Sequence, residues 1–371
     1  MLPDESSPDL AARWRAAVRP LLAELLWPLV RPFRKRMEVT RDGKPLRPGI
    51  TALVAARNEA YTIPFCLRSL IGFADQIVCV DNGSEDETLS RMRQFQSEFG
   101  DRVEVDIVSL PSALLGECRE AGLAMTRYQW HLRWDADMVA KTSGPESMLP
   151  LRKRALSDDR PRAIQLPRTN LFGDLHHALA HLPIVDPGEP ILVRFDRAVR
   201  YREYGKFDVI RLPLYFRQTC ESPRHYFHLQ GLKSDVNLLH RFHYFEWRRV
   251  VNASRSTEDF EIFKQRRNLE LFGTTDPRSV RFRFNRQLMY VLVRFEPERH
   301  GSYPEVLANE LRGEQRFEVL YRDGRPFQRL DREDREMAAY QPTPEDLAWD
   351  PENFLRRFLT PSQAAGVGLR P

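Results

Sequence analysis

The sequence predicts an α/β fold with a mostly parallel central sheet flanked by helices. Residues 50–55 and 76–80 form continuous apolar runs, which are typical of strands buried on both faces. Each run is followed by a polar turn and then by helical periodicity, and this alternation continues to Trp134. Parallel strands need such crossover helices, so the pattern favours a sheet with helices on both sides.

Length and composition predict more than one structural unit. The chain has 371 residues, of which 42% are hydrophobic, enough for a sizeable core and about two or three domains. We expect a basic amphipathic arm over residues 1–46, the α/β domain over 47–255 and a mainly helical C-terminal accessory region over 256–371.

The charge pattern excludes some classes of partner. Basic and acidic side chains number 57 and 52 and are interspersed, which does not fit a nucleic-acid-binding tail. The net charge of +5 is compatible with anionic partners such as diphosphates or acidic lipids. The four cysteines are scattered without metal-ligand spacing, and there is no secretory signal pattern or spanning apolar run. We therefore expect a cytoplasmic protein, with peripheral contact at the inner face of the membrane as an open alternative.

Residues 10–36 combine apolar residues at helical spacing with seven basic side chains. Pro20, Pro28 and Pro32 are expected to break this helix. Two interpretations remain open for the segment. It is either an amphipathic helix lying on an acidic membrane surface or a helical arm packed on the domain.

The first two strands lead into polar loops. The strand at 50–55 runs into Arg57, Asn58 and Glu59, and a helix is expected from about residue 62 to 70. The strand at 76–80 ends at Asp81. Ser84 and Glu87 have capping-box spacing, which predicts that the next helix opens at Ser84.

Two carboxylates follow the strand that ends at Trp134. A strand is expected at 103–108 and a helix at 112–127 before it. Asp135 and Asp137 would point to opposite faces of a strand, so they converge only if the chain turns there. Converging carboxylates are suitable ligands for Mg²⁺ or Mn²⁺. Aspartates after strands also serve as turn formers or helix caps, which is the competing interpretation.

Asn58, Asp81 and the aspartate pair all follow the carboxyl ends of their strands. Ligands of open α/β sheets bind beyond these ends, so the three clusters are expected to line one crevice. Each has an ordinary alternative. Asn58 could be a turn residue, Asp81 a loop cap and Arg57 a solvated surface residue.

The segments 54–59, 77–86 and 134–137 resemble the successive motifs of family 2 glycosyltransferases, and the resemblance extends over about residues 50–255. Residues 118–123 are similar to the helix start before the Asp-x-Asp strand, although Glu120 and Asn82 stand where the family often has Asn and Asp. The resemblance implies a GT-A fold and an inverting enzyme. Such an enzyme moves a sugar from a UDP- or GDP-linked donor to a hydroxyl of a glycan, lipid-linked or protein acceptor.

The resemblance also implies roles for individual residues. The residues expected to contact the nucleotide sugar are Ala55, Arg57, Glu59, Asp81, Arg119, Asp135 and Lys233. Asp137 is expected to bind the divalent cation, Mn²⁺ or Mg²⁺, with Asp135 beside it. A cation is needed because negative charge builds on the leaving diphosphate.

Further roles are implied downstream. His228 stands where related enzymes complete the metal site, and a mixed oxygen–nitrogen ligand set favours Mn²⁺ over Ca²⁺. A buried structural histidine is the alternative. Asp208, and after it Glu203, are the candidate general bases for the acceptor hydroxyl. Alternatively, these two carboxylates pair with Arg202, Lys206 or Arg211.

The remaining chain carries less functional signal. A strand is expected at 163–167, followed by a loop at 168–174 on the acceptor side. An apolar helix rich in arginine and aromatic residues is expected over 238–250, either closing the acceptor site or packing on the core. Beyond about residue 256 there is no catalytic pattern.

Two other functions compete with sugar transfer. A nucleotidyltransferase would need a glycine-rich phosphate loop after the first strand, and residues 54–58 contain no glycine. A non-catalytic scaffold docking on a membrane through residues 10–36 would bind no nucleotide in a metal-dependent way.

Overall fold

A nine-stranded sheet forms the centre of the computed structural model, which describes residues 10–204, 207–254 and 257–366. The strands are, in chain order, β1 (Arg47–Ala56), β2 (Gln76–Asp81), β3 (Glu104–Ser109), β4 (Tyr128–Asp135), β5 (Met138–Ala140), β6 (Arg162–Phe172), β7 (His177–Leu179), β8 (Val185–Arg194), β9 (Arg200–Tyr204), β10 (Phe207–Arg211), β11 (Arg217–Cys220), β12 (Tyr226–Gln230), β13 (Leu292–Arg294), β14 (Phe317–Arg322) and β15 (Arg325–Asp331).

The helices surround this sheet and dominate the C-terminal third. They are α1 (Leu10–Val30), α2 (Arg34–Met37), α3 (Ile63–Ser69), α4 (Thr88–Phe99), α5 (Leu115–Ala124), α6 (Leu149–Ser157), α7 (Asp235–Ser254), α8 (Phe260–Phe272), α9 (Pro277–Tyr290), α10 (Pro297–His300), α11 (Ala308–Arg312), α12 (Arg335–Ala338), α13 (Pro344–Ala348), α14 (Pro351–Leu355) and α15 (Pro361–Gly366). Short 3-10 turns lie at Arg31–Phe33 and Glu305–Leu307.

The sheet order is β3-β2-β1-β4-β8-β6-β12-β5, with β11 beside β6. The first four strands in this order are parallel to one another, whereas β8 runs antiparallel to both β4 and β6. The predicted α/β fold with a mostly parallel sheet is therefore confirmed. Strand order reverses between β1 and β4, and such a switch point is where open α/β sheets bind ligands.

Side chains of β4 alternate between two cores. Trp130, Leu132 and Trp134 pack in the apolar core on one face. On the other face α5 packs against the sheet, and Leu53 and Cys118 belong to a second apolar cluster. Because Arg133 and Asp135 alternate with the tryptophans, they lie on the α5 face.

Three local predictions are wrong: the start of helix α4, the loop at 168–174 and the break of the first helix at Pro20 and Pro28. Helix α4 begins at Thr88 rather than Ser84, because the Ser84 hydroxyl accepts a hydrogen bond from Asn58 N at 3.0 Å instead of capping a helix. Residues 168–172 continue strand β6 instead of forming a loop, since they pair with β12.

Pro20 and Pro28 lie inside α1 and do not break it. Both prolines are exposed, so their rings lie on the side of α1 that faces away from the domain. Helical geometry changes only after Val30, where Pro32 lies in the 3-10 turn. Throughout the described ranges, no helix combines the length and apolarity needed to span a membrane.

The C-terminal region holds the loop that follows β12. Arg329 of β15 is buried, pairs with Asp235 at the start of α7 and donates a hydrogen bond to Lys233 O at 2.7 Å. Asn285 of α9 donates to the same aspartate at 2.7 Å. These buried contacts make residues of the accessory region part of the support for the 231–235 loop.

Candidate active site

The carboxyl ends of β2, β1 and β4 lie side by side. Ala56 is in register with Asp81, and Ala55 is in register with Asp135. Asp135 ends β4, a turn at 136–137 follows, and β5 leaves in a new direction. The turn that the Asp-x-Asp pattern requires is therefore present at the switch point of the sheet.

The loops after β1 and β2 are tied together by side-chain contacts. Asn58 has a left-handed backbone with φ of 54°. Its side-chain oxygen accepts a hydrogen bond from Glu85 N at 2.8 Å, and Glu59 N donates to Thr88 Oγ1 at 2.7 Å. These bonds hold the two loops at one edge of the switch point.

Asp81 is buried at this edge and caps its own loop. Its carboxylate accepts hydrogen bonds from Ser84 N and from Ser109 Oγ, each at 3.2 Å. Asp81 therefore makes the loop-cap contact that the sequence analysis gave as the alternative to ligand binding. Arg57, by contrast, is exposed, and Ala55 is partly buried at the end of β1.

Asp135, Asp137 and His228 form a cluster in which the potential ligand atoms all lie within 4.8 Å of one another. His228 Nε2 lies 3.2 Å from Asp137 Oδ1. Strand pairing produces this contact, because His228 of β12 is in register with Met138 and Leu229 N donates to Asp137 O at 2.8 Å.

This ligand set fits Mn²⁺ or Mg²⁺. Two carboxylates supply hard oxygen ligands, and the imidazole adds a nitrogen ligand that Mn²⁺ accepts. The side-chain amide of Gln230 contacts His228 Nδ1 at 3.0 Å, which orients the ring so that Nε2 faces Asp137.

Electrostatic contacts keep both aspartates ionised. Burial opposes ionisation of Asp137, but His228, Lys233 and Arg241 outweigh it and hold its pKa below the ordinary value. Burial likewise opposes ionisation of Asp135, and Arg119 and Arg133 lower the pKa of that carboxyl. Both groups are thus in the charged form that ligates a cation.

Arg119 is fully buried beneath Asp135. It donates hydrogen bonds to Leu53 O at 3.0 Å and Trp134 O at 2.6 Å, and it forms an ion pair with Asp135. One guanidinium group therefore links β1, β4 and the first carboxylate of the cluster. In this position Arg119 orients Asp135 from below.

Asp208 is enclosed by two arginines. Its Oδ1 accepts a hydrogen bond from Arg133 at 2.9 Å, and its Oδ2 lies 3.5 Å from Arg119 Nε. The residue is only 4% exposed. Both carboxylate oxygens are covered, so an acceptor hydroxyl has no open path to them in this conformation.

Glu203 lies on β9, and its side chain contacts the beginning of α5. Its carboxylate accepts a hydrogen bond from Gly116 N at 2.5 Å, which satisfies a free amide in the first turn of the helix. Of the alternative partners expected for Asp208 and Glu203, Lys206 lies outside the described residues.

Glu59 and Lys233, both expected to contact the donor, form a buried ion pair with each other. Burial, together with the nearby charge of Asp137, raises the pKa of Glu59 even though Lys233 opposes this shift. The pair lies close enough to Asp137 for each charge to act on that carboxylate.

Three charged residues of this region were not identified from the sequence. Arg133 pairs with both Asp208 and Glu189, and the Glu189 side chain is 46% exposed. Arg241 of α7 is exposed and acts electrostatically on Asp137. The sequence could have indicated Arg133, because it precedes Asp135 by two residues and therefore lies on the same face of the strand. No nearby motif in the sequence marks Glu189 or Arg241.

Residues 51–159 match the model of Glycosyl transferase family 2. No curated protein sequence matches the chain. The sequence-based prediction of a family 2 glycosyltransferase is thus confirmed over the segment that carries β1 to β5.

Several solved structures are distantly similar. One of S. aureus TarS (1–349) has 13% identity over 76% of this chain and 98% of that chain, with a TM-score of 0.34. Mannosyltransferase PcManGT from Pyrobaculum calidifontis, in complex with GDP-Man and Mn²⁺, has 14% identity over 67% of this chain and 76% of that chain, with a TM-score of 0.38.

Proposed function

We propose that this chain, whose residues 51–159 belong to glycosyl transferase family 2, is a metal-dependent inverting glycosyltransferase. It would move one sugar from a nucleotide-diphosphate sugar, UDP- or GDP-linked, to an acceptor hydroxyl. The observation that carries the proposal is the cluster of Asp135, Asp137 and His228 at the switch point of the sheet.

The nucleotide would bind over the ends of β1 and β2. Ala55 leaves room beside the strand end, Asp81 offers carboxylate oxygens to base or ribose donors, and exposed Arg57 supplies positive charge. The hydrogen bonds between the loops, centred on Asn58, keep this surface in one conformation before the donor arrives.

The cation, Mn²⁺ or Mg²⁺, would be held by Asp137 and His228 with Asp135 beside them. When bound, it neutralises charge on the donor diphosphate. Arg119 and Arg133 keep Asp135 ionised, and Gln230 orients His228. The chain's own residues thus supply the charge and the ring orientation that such a site requires.

Two cationic side chains support departure of the diphosphate. Lys233 is buried against Glu59 beside the cluster, and Arg241 projects from α7 near Asp137. Charge that develops on the leaving oxygens would be stabilised by these preorganised groups, whose effect is larger where water is excluded.

We assign the proton-accepting step to Glu189 in place of Asp208. Glu189 lies midway along β8, and continuation of the antiparallel pairing of β8 with β4 brings it beside the strand end that carries Asp135. Its carboxylate is half exposed, whereas both oxygens of Asp208 are enclosed by arginines. In this assignment Asp208 positions Arg119 and Arg133, and Glu203 remains a helix cap.

Calorimetry with UDP and GDP, each with and without Mn²⁺, tests the proposal. We expect metal-dependent binding of one nucleotide, and loss of both this binding and diphosphate release from the matching nucleotide sugar in Asp137→Ala. Asp101→Ala, an exposed aspartate in the turn before β3, is the matched control and should behave as the unmodified chain.

Two outcomes would refute the assignment. Absence of metal-dependent nucleotide binding by the unmodified chain would favour a non-catalytic scaffold. Full transfer activity in Asp137→Ala would remove the metal role of that carboxylate.

A further inference from the structure

An exposed apolar stripe runs along α1 and into the 3-10 turn that follows. Its four members are spaced four residues apart, and each is more than half exposed: Leu21 (65%), Leu25 (70%), Leu29 (68%) and Phe33 (55%). Four large apolar side chains in one line on an exposed surface indicate an interaction surface for an apolar partner.

The opposite side of α1 fixes the arm to the domain. Ala23 and Trp27 are buried, and Trp27 lines a small cavity together with Phe216. Arg19 donates hydrogen bonds to the carbonyl oxygens of Leu212 at 3.0 Å and Pro213 at 3.2 Å. Because these contacts set the rotation of the helix, the stripe points away from the protein.

The charge around the stripe is strongly positive. Residues 10–36 contain seven basic residues and one acidic residue, Glu24. Glu24 is already paired with Arg160 and Arg217.

Arg31, Lys35 and Arg36 are exposed, and none of them forms an ion pair with an acidic group in the described ranges. An anionic partner would therefore meet unneutralised cations next to the apolar stripe.

We propose that this stripe docks on an anionic lipid surface. The apolar side chains would enter the boundary between headgroups and acyl chains, while the basic residues contact lipid phosphates. The combination of an exposed apolar line and adjacent unpaired cations is the complement of such a surface, whereas a protein partner would need acidic groups matched to the same spacing.

The stripe lies at the end of the sheet opposite the metal cluster. Trp27 packs near Pro161 and Arg194, which stand before β6 and at the end of β8. Since β8 is antiparallel to β4, its end lies far from Asp135. A docked bilayer would leave the crevice open to a soluble donor, so this proposal does not depend on the proposed activity.

Vesicle sedimentation with the full chain tests docking. Vesicles of phosphatidylcholine are compared with vesicles containing equal parts of phosphatidylcholine and phosphatidylglycerol. We expect binding to the anionic vesicles, reduced by raised salt. Leu25→Glu/Leu29→Glu should weaken it more than about tenfold, because each leucine loses its apolar burial.

The control carries the same substitutions on another exposed helix surface. Ile262 and Leu269 of α8 are 62% and 58% exposed, and Ile262→Glu/Leu269→Glu should bind vesicles as the unmodified chain does. Nucleotide binding with Mn²⁺ should be unchanged in both variants, and a thermal melt verifies that each is folded. Lys35→Glu/Arg36→Glu should selectively reduce binding to the anionic vesicles.

Three outcomes would overturn docking. The unmodified chain could fail to bind either vesicle, or Leu25→Glu/Leu29→Glu could bind the anionic vesicles as well as Ile262→Glu/Leu269→Glu does. Light scattering could also find a dimer that Leu25→Glu/Leu29→Glu dissociates, without vesicle binding, and the stripe would then be a self-association surface.

Discussion

Glu59 and Lys233, 174 residues apart in the chain, form a buried ion pair beside Asp137. From the sequence, each of the two was predicted to contact the donor. Their pairing places a cation and an anion beside the Asp135–Asp137–His228 cluster and joins the loop after β1 to the loop after β12. The carbonyl oxygen of Lys233 is also held by Arg329 at 2.7 Å, so the C-terminal region supports the same contact.

Breaking this pair on one side should destabilise the protein. In Lys233→Met the Glu59 carboxylate stays buried without its cation, and we expect a loss of about 3–5 kcal/mol in the free energy of unfolding. Urea denaturation measures this loss. Glu59→Gln/Lys233→Met removes both charges and should recover most of it; a single variant as stable as the double variant would contradict the pairing.

Arg241→Gln should reduce transfer while the fold is retained. Arg241 is exposed on α7 and acts on Asp137, and loss of one group that stabilises transition-state charge commonly costs roughly a hundredfold in kcat. Initial rates of diphosphate release measure this effect. Arg248→Gln, two turns further along α7, is the control, and an equal loss in both variants would show that the effect is not specific to the cluster.

The two candidate bases can be separated by comparing isosteric variants. Glu189→Gln should lower kcat by about two orders of magnitude or more, with nucleotide binding and stability retained, because a general base is lost. Asp208→Asn should instead lower stability and metal affinity, since Arg119 and Arg133 lose their shared partner.

The pH profile of kcat provides the additional readout. Glu189→Gln should abolish its acidic limb. If Asp208→Asn removes that limb and leaves stability and metal binding unchanged, Asp208 is the base, as the sequence indicated.

The loss of folding stability at acidic pH should depend on His243. This histidine is buried in α7, its Nε2 contacts Asn268 Oδ1 at 2.7 Å, and burial lowers its pKa from 6.5 to about 4. Between these two pKa values the unfolded chain binds a proton that the folded protein excludes. The contribution of His243 to the free energy of unfolding is therefore complete above about pH 6.5. It falls by up to ~3 kcal/mol as the pH decreases to about 4.

Urea unfolding between these pH values checks this dependence. In His243→Gln the slope of unfolding free energy against pH should be smaller than in the unmodified chain. His176→Gln, at an exposed position, should leave the slope as it is. An unchanged slope in His243→Gln would show that other groups cause the acid sensitivity.

The sheet and the location of the candidate site were predictable because their signals are local. Continuous apolar runs identify β1 and β2, and helical periodicity between them requires a parallel arrangement. Asp81, Asp135 and Asp137 follow strand ends, and parallel strands bring those ends to one edge. The match of residues 51–159 to the family lies within this part of the chain.

The partners of the charged residues were decided only by the tertiary structure. Asp208 is covered by Arg119 and Arg133, which lie on α5 and β4, and no spacing in the sequence indicates this contact. Glu189 reaches the same region because β8 runs antiparallel to β4. The sequence by itself determined which strands form and which ends carry carboxylates, since periodicity and turn chemistry act over a few residues. Ion pairing acts through space, so it depended on how distant segments pack.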